Sequence, residues 1–235
     1  MKIELWQAVV RAIEAAFPEY DDVNEKISFG RAQQARIRLA GHLDLKEGMF
    51  VLDAGIGPGT MSEVLLLKSA DITIIGLDAS TKLLSAAGKR LLEPFCNRVH
   101  LVRGIFEALP FKDQCFQRIV SAYALRDAQD RNSAIDEFHR VSSNEGIFGM
   151  VDLGKPGNPL KRILISFYVH YIVPTIARFS MSGGIVGNPW RMIFPTYQAL
   201  ESNNELLAFL KNRFDHVETT EMSLGGVIIA IAHKR

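Results

Sequence analysis

Val51-Leu52-Asp53-Ala54-Gly55-Ile56-Gly57-Pro58-Gly59-Thr60 reads as an apolar strand that runs into a glycine turn and opens a helix. Alternate glycines let the chain reverse sharply and keep side chains out of a ligand's way. The helix beginning near Thr60 exposes unpaired N–H groups in its first turn, which suit an anion. Two details separate this turn from a dinucleotide fingerprint of the form GxGxxG. Thr60 stands where that fingerprint needs its third glycine, and Asp53 would oppose a pyrophosphate. The turn also follows a helical N-terminal region, whereas a dinucleotide motif usually opens its domain.

Working outward, the chain alternates strands with helices. Strands are expected at 49–52, 72–77, 99–102, 118–122 and 146–153. Helices are expected at Ile3–Ala16, 31–43, Thr60–Lys68, 81–92 behind a Ser80 N-cap, and Arg131–Val141. This order predicts an α/β, doubly wound, Rossmann-like parallel sheet whose ligands bind at the carboxyl ends of the strands. A long apolar helical stretch follows, at 160–186, with Gly183-Gly184 as a mobile link inside it. A helix at 197–213 and strands at 217–222 and 227–232 come last. Gly225-Gly226 between those strands implies a closing antiparallel hairpin.

At this spacing the glycine turn suits a ligand with both a carboxylate and an ammonium, the amino-acid end of S-adenosylmethionine. Asp53 would attract the ammonium, while Ala54, Gly55, Gly57, Pro58, Gly59 and Thr60 would cradle the carboxylate end. Asp78, ending Ile75-Gly76-Leu77-Asp78-Ala79-Ser80, can accept from both ribose hydroxyls. The plainer alternatives are a tight turn without a ligand and an acid facing a helix dipole.

The 235 residues carry a formal net charge of +1, with 48% apolar and 23% charged residues. These values fit a globular chain and argue against a nucleic-acid partner. Cys96 and Cys115 form no CxxC, and the histidines show no ligand spacing, so no metal is expected. Glu4, Arg11 and Glu14 inside the first apolar run lead one to expect an amphipathic helix there and not a signal peptide. His170, Pro174 and Arg178 interrupt the longest apolar run, which is therefore not read as membrane-spanning. A cytoplasmic protein is expected, with possible contact at a membrane surface.

Glu107-Ala108-Leu109-Pro110-Phe111-Lys112-Asp113-Gln114-Cys115-Phe116 resembles the "E-x-LPF-x-D-x-x-F" segment of small-molecule class I methyltransferases. Ala124-Leu125-Arg126-Asp127, Ala134 to Val141, and Gly154-Lys155-Pro156 narrow the resemblance. They are similar to the "GLRN", "RV"-ended helix and "SKP" of the ubiquinone/menaquinone biosynthesis C-methyltransferases (UbiE/MenG-like). Tyr20-Asp21-Asp22-Val23-Asn24 and Ser28-Phe29-Gly30 match that family's "YDxxN…SFG". The resemblance implies a seven-stranded sheet of order 3-2-1-4-5-7-6, the last strand antiparallel. It implies one methyltransferase domain over 1–235: an N-terminal lid (1–46), a cofactor core (47–153), an acceptor-site insertion (154–195), and a C-terminal helix and hairpin (196–235).

The resemblance further implies S-adenosylmethionine as cofactor, held also by Tyr20, Ala79, Ser80, Gly104, Ile105, Phe106 and Ala122. A lipophilic acceptor such as a quinol would meet Asp21, Asn24, Tyr123, Phe167 and Tyr171. Arg126 would stabilise a phenolate or orient a water, unless it is only paired to Asp127 or Asp130. The insertion would cover the acceptor, touch a membrane or form a homodimer face. Pro58, Ile105, Ala122 and Asp127 depart from the family's usual residues. Another small-molecule O- or N-acceptor, a non-catalytic cofactor-binding partner protein and a nicotinamide-dependent oxidoreductase stay open at this point.

Overall fold

The structure, a computed structural model, describes residues 3–17, 19–69, 71–181 and 187–235. Seven strands form one sheet: β1 Phe50–Ala54, β2 Thr73–Asp78, β3 Val99–Arg103, β4 Phe116–Ala122, β5 Ser142–Leu153, β6 His216–Met222 and β7 Val227–His233. Their order is β3-β2-β1-β4-β5-β7-β6. The first five run parallel, and β7 is antiparallel to both β5 and β6. The central strands are buried nearly end to end, as expected when helices cover both faces of a parallel sheet.

The helices are α1 Ile3–Ala16, α2 Tyr20–Ser28, α3 Arg31–Gly41, α4 Thr60–Lys68, α5 Thr81–Leu91, α6 Arg131–Val141, α7 Pro159–Phe167, α8 Val173–Ser180, α9 Ile193–Gln198 and α10 Asn203–Lys211. Leu39, Leu65 and Leu91 from α3, α4 and α5 fill one face of the sheet against Ile74 and Val151. Ile135, Phe138 and Leu210 from α6 and α10 fill the other against Ile119 and Phe148. A smaller cluster joins Val23 and Ile27 of α2 to Val173 and Ala177 of α8 and to Trp190. It roofs the carboxyl ends of the strands, where the cofactor turn lies.

The structure adjusts several sequence expectations. The helix expected at 197–213 is two helices, because Ser202 starts α10 afresh with a capping box to Glu205. The segment at Tyr20 is a helix of nine residues, ended by Phe29 in the left-handed region at φ 52°. β5 starts at Ser142 rather than 146, since an irregularity in its pairing with β4 absorbs the extra residues and puts Glu145 at φ 60°. The closing hairpin turns over four residues, with Ser223, Leu224 and Gly225 all at positive φ. α7 and α8 join through a wide π-type turn, Tyr168–Ile172. Pro174 accounts for it, since proline lacks the donor that would continue regular helical bonding. The whole run Pro159–Ser180 is long and apolar enough, by length and composition, to cross a membrane. Gly183-Gly184 lies outside the described residues.

Candidate active site

The glycine turn owes its shape to three positive φ values: 80° at Gly55, 55° at Gly57 and 92° at Gly59. Their reasons differ. A Cβ on Gly55 would lie 2.4 Å from Ala124 Cβ, and one on Gly59 would lie 2.8 Å from Leu91 Cδ1. These two glycines let the turn pack. A Cβ on Gly57 would meet nothing closer than a carbonyl at 4.0 Å. Gly57 therefore faces open space, the cleft itself.

That cleft has a volume of about 110 Å³. Gly55, Gly57, Pro58 and Thr60 form its floor, Asp78 and Ala79 one side, and Gly104, Ile105, Phe106 and Ala122 the next. Asp78 knits the site together: one carboxylate oxygen accepts from Gly57 N–H at 3.0 Å and the other from Ser80 N–H at 2.9 Å. Burial raises its pKa against the opposing pull of those bonds. Asp53, Ala54, Gly59 and Ser80 stand behind the wall instead of on it. Asp53 is fully buried and accepts from Ser62 Oγ at 2.6 Å, while its Oδ1 has no partner. Burial, only partly offset by the Ser62 bond, pushes its pKa up to about 6. Ser80 caps α5 and donates to Glu14 of α1.

α1 closes the cleft with Trp6, Val9 and Ile13, residues not singled out in the sequence although the helix's apolar stripe was legible. Tyr20, Arg36 and Tyr123 line both this cleft and a second, apolar cavity of about 430 Å³. Tyr123 sits at φ 60°, with Arg36 5.1 Å from its ring centre. Its hydroxyl is buried without a partner, and burial pushes its pKa up to about 12. The cavity runs from Asn24 and Arg126 past Leu164, Ile165, Tyr168, Val169 and Val173 to a rim of Phe29, Leu164 and Leu224, all exposed.

Three expected acceptor contacts need correcting. Phe167 and Tyr171 lie one helical phase away from the cavity, their rings tilted against each other with centres 5.1 Å apart and both more than half exposed. Leu164, Tyr168 and Val169 take their place. Asp21 does not reach the cavity either: it pairs with Arg90 and accepts from Thr60 Oγ1, tying α2 to the start of α4. Asn24 does line the cavity, held by Trp190 Nε1 at 2.9 Å.

Arg126 is buried between two carboxylates, Asp152 at 3.0 Å and Asp127 at 3.4 Å. Burial alone would lower its pKa, but the two acids outweigh burial and raise it. Asp130, the other expected partner, instead caps α6. Asp152 escaped the sequence reading, although a lone acid at the end of an apolar strand was its signal.

The sequence profile of the ubiE/COQ5 methyltransferase family matches residues 4–184. The chain belongs to this family. It is 27% identical over 214 residues to a ubiquinone/menaquinone biosynthesis C-methyltransferase UbiE of Syntrophotalea carbinolica, covering 90% of this chain and 87% of that one. A demethylmenaquinone methyltransferase of Lactobacillus johnsonii is 27% identical over 222 residues, covering 93% and 89%. The fold is shared with a SAM-dependent methyltransferase, possibly a histamine N-methyltransferase, of Thermotoga maritima. That match has a TM-score of 0.64 at 18% identity and covers 98% of this chain and all of the other. As a member of the ubiE/COQ5 family the chain is a methyltransferase that uses S-adenosylmethionine. The geometry suits that cofactor: an open cradle at Gly57 and a carboxylate at Asp78 on the cleft wall.

Proposed function

We propose that this ubiE/COQ5-family enzyme methylates a ring carbon of a lipophilic quinol, drawn from a membrane surface. The observation that carries this reading is the shared wall: Tyr20, Arg36 and Tyr123 border the cofactor cleft on one side and the apolar cavity on the other. An acceptor ring at that wall would meet the methyl group, and its apolar tail would run out past Leu164, Phe29 and Leu224. The named relatives are a ubiquinone/menaquinone biosynthesis C-methyltransferase and a demethylmenaquinone methyltransferase, and quinones of that kind have such a ring and tail.

When bound, S-adenosylmethionine supplies an electrophilic methyl group. Gly57 and the first turn of α4 would hold its carboxylate and Asp78 its ribose, with Ile105 and Phe106 beside the base, while Asp53, behind the wall, would attract its ammonium through the field of its charge or a water. The chain's remaining task is positioning and exclusion of water. Residues 1–46 would serve as the lid, since Trp6, Val9, Ile13 and Tyr20 all face the cleft. Arg126 would fix the two acids around it and so set the electrostatics of the acceptor site.

The test is transfer of radiolabelled methyl from S-adenosylmethionine to demethylmenaquinol and to other apolar acceptors, including fatty acids and amines. Label on a quinol ring carbon supports the reading. Label on oxygen or nitrogen of a non-quinol acceptor, with none on a quinol, overturns it.

A further inference from the structure

Arg126, Asp127 and Asp152 form a buried group with one guanidinium between two carboxylates. The pairing is lopsided. Asp152 accepts from Arg126 Nη1 at 3.0 Å, from the Arg126 backbone N–H at 2.9 Å and from Leu153 N–H at 2.8 Å. Asp127 has the 3.4 Å contact of its Oδ2 with Arg126 Nη2 and a side-chain interaction with Thr196, while no hydrogen bond of good geometry reaches its buried Oδ1. Asp127 lines the cofactor cleft and also the niche beside it, which Tyr20, Asn24 and Arg126 share. In the related family's "GLRN" segment the corresponding residue is an asparagine, which cannot take up a proton.

We propose that Asp127 is the base of this enzyme, accepting the hydroxyl proton of a phenolic acceptor through its buried Oδ1. The acceptor's O–H bond breaks and its proton passes to Oδ1. The oxygen's electron pair is delivered through the ring to the carbon that bonds to the methyl, as the sulfur–methyl bond breaks with its pair left on sulfur. The hydrogen on that ring carbon then leaves as a proton to solvent, its bonding pair returns through the ring to the oxygen, and Asp127 gives its proton back to that oxygen. Arg126 is then a positioning residue.

The groups facing Asp127 agree with this role. Burial, with Asp152 adding to it, raises its pKa to about 6 against the pull of Arg126 and of Thr196. Arg131 on α6 pulls the same way as Arg126 but is itself bonded to Glu201. Tyr20 on α2, together with Tyr123 and Glu107, completes the surroundings. A base of this strength is ionised at neutral pH and close enough to it to accept a proton efficiently.

The inference rests on the phenolic acceptor proposed above, so the experiment has an arm independent of it. In the ligand-free protein, a carboxylate whose folded pKa exceeds its unfolded value contributes most to stability at low pH. That contribution is lost as pH rises from about 4 to about 6. Asp127→Asn should therefore raise the Tm more at pH 8 than at pH 5, by roughly 3–5 °C, or about tenfold in the unfolding constant. In the turnover arm, wild-type kcat/KM should fall below pH ~6. Asp127→Asn should lose that acid limb and about 10²–10⁴-fold in rate, while S-adenosylhomocysteine affinity by calorimetry changes no more than about threefold. Equal Tm changes at both pH values, or a variant within threefold of wild type that keeps its acid limb, would overturn the assignment. If no phenolic acceptor takes label while the Tm difference between pH 5 and pH 8 holds, the acceptor reading and the base role both fall and Asp127 is left as a buried carboxylate with a raised pKa; if a phenolic acceptor takes label and the Tm changes are equal, the base role alone falls.

Discussion

Gly55 and Gly57 are two residues apart and both sit at positive φ, yet substitution should separate packing from binding. Gly55→Ala adds strain at φ 80° and drives a methyl into Ala124. A loss of roughly 2–4 kcal/mol is expected, visible as a Tm lowered by about 4–16 °C. Gly57→Ala puts its methyl into the open cleft at a backbone cost near 1 kcal/mol, so S-adenosylhomocysteine affinity should fall more than stability. Asp78→Ala removes the acceptor for both ribose hydroxyls. Each charged hydrogen bond contributes on the order of 1.5–3 kcal/mol, so calorimetry should show affinity reduced 10²-fold or more. Unchanged affinity would exclude a ribose role. Asp53 sets a pH signature: its pKa lies near 6 and a ligand ammonium would favour its ionised form. Binding near pH 6 should then release up to one proton, measured as a dependence of the heat on buffer ionisation, and Asp53→Asn should abolish the release.

At the scale of elements, the two large core clusters fill the sheet faces without any residue of α1. α1 is fastened at its end, where Glu14 accepts from Ser80 and its carbonyl from Lys82. Deleting residues 1–17 should leave the far-ultraviolet spectrum of the sheet intact and weaken S-adenosylhomocysteine binding by about tenfold. In the full chain, ligand should quench Trp6, which lines the cleft. The elements that sequence made legible are those with one strong signal: a continuous apolar run for β1, β2 and β4, and the glycine turn before α4. α2 was not legible as a helix because nine residues with Asp21, Asp22, Glu25 and Lys26 have little apolar stripe, and its helicity is secured by packing on α8. The break before α10 was on the page as Ser202-Asn203-Asn204-Glu205, a capping box submerged in a longer apolar period. Phe167 and Tyr171 misled because aromatic content says nothing of helical phase, and the π-type turn shifts that phase halfway along the run.

For the whole molecule, the apolar cavity and the surface around its mouth form one feature. Phe29, Leu164 and Leu224 at the rim continue outward into Leu160, Ile163, Phe167, Tyr171 and Phe179, all exposed, with Phe179 at 85%. The run Pro159–Ser180 carries Lys161, Arg162 and Arg178 and no acidic residue. An apolar face with a cationic edge suits an anionic bilayer surface, each cation contributing about 1 kcal/mol there. Such docking would let a tailed acceptor pass from the membrane into the cavity without crossing water. The protein should therefore float with phosphatidylglycerol-containing vesicles, less with phosphatidylcholine alone, and less again as salt screens the cations. Phe179→Ser combined with Leu160→Ser should cost little stability, because both side chains are already in water, and should reduce flotation about tenfold or more. The same pair should raise KM for a long-tailed acceptor presented in vesicles and leave a short-tailed, water-soluble one unaffected. Flotation indifferent to these substitutions would show that the face meets something else, and a sedimentation equilibrium shifted from dimer to monomer by the same pair would identify it as a second copy of the chain.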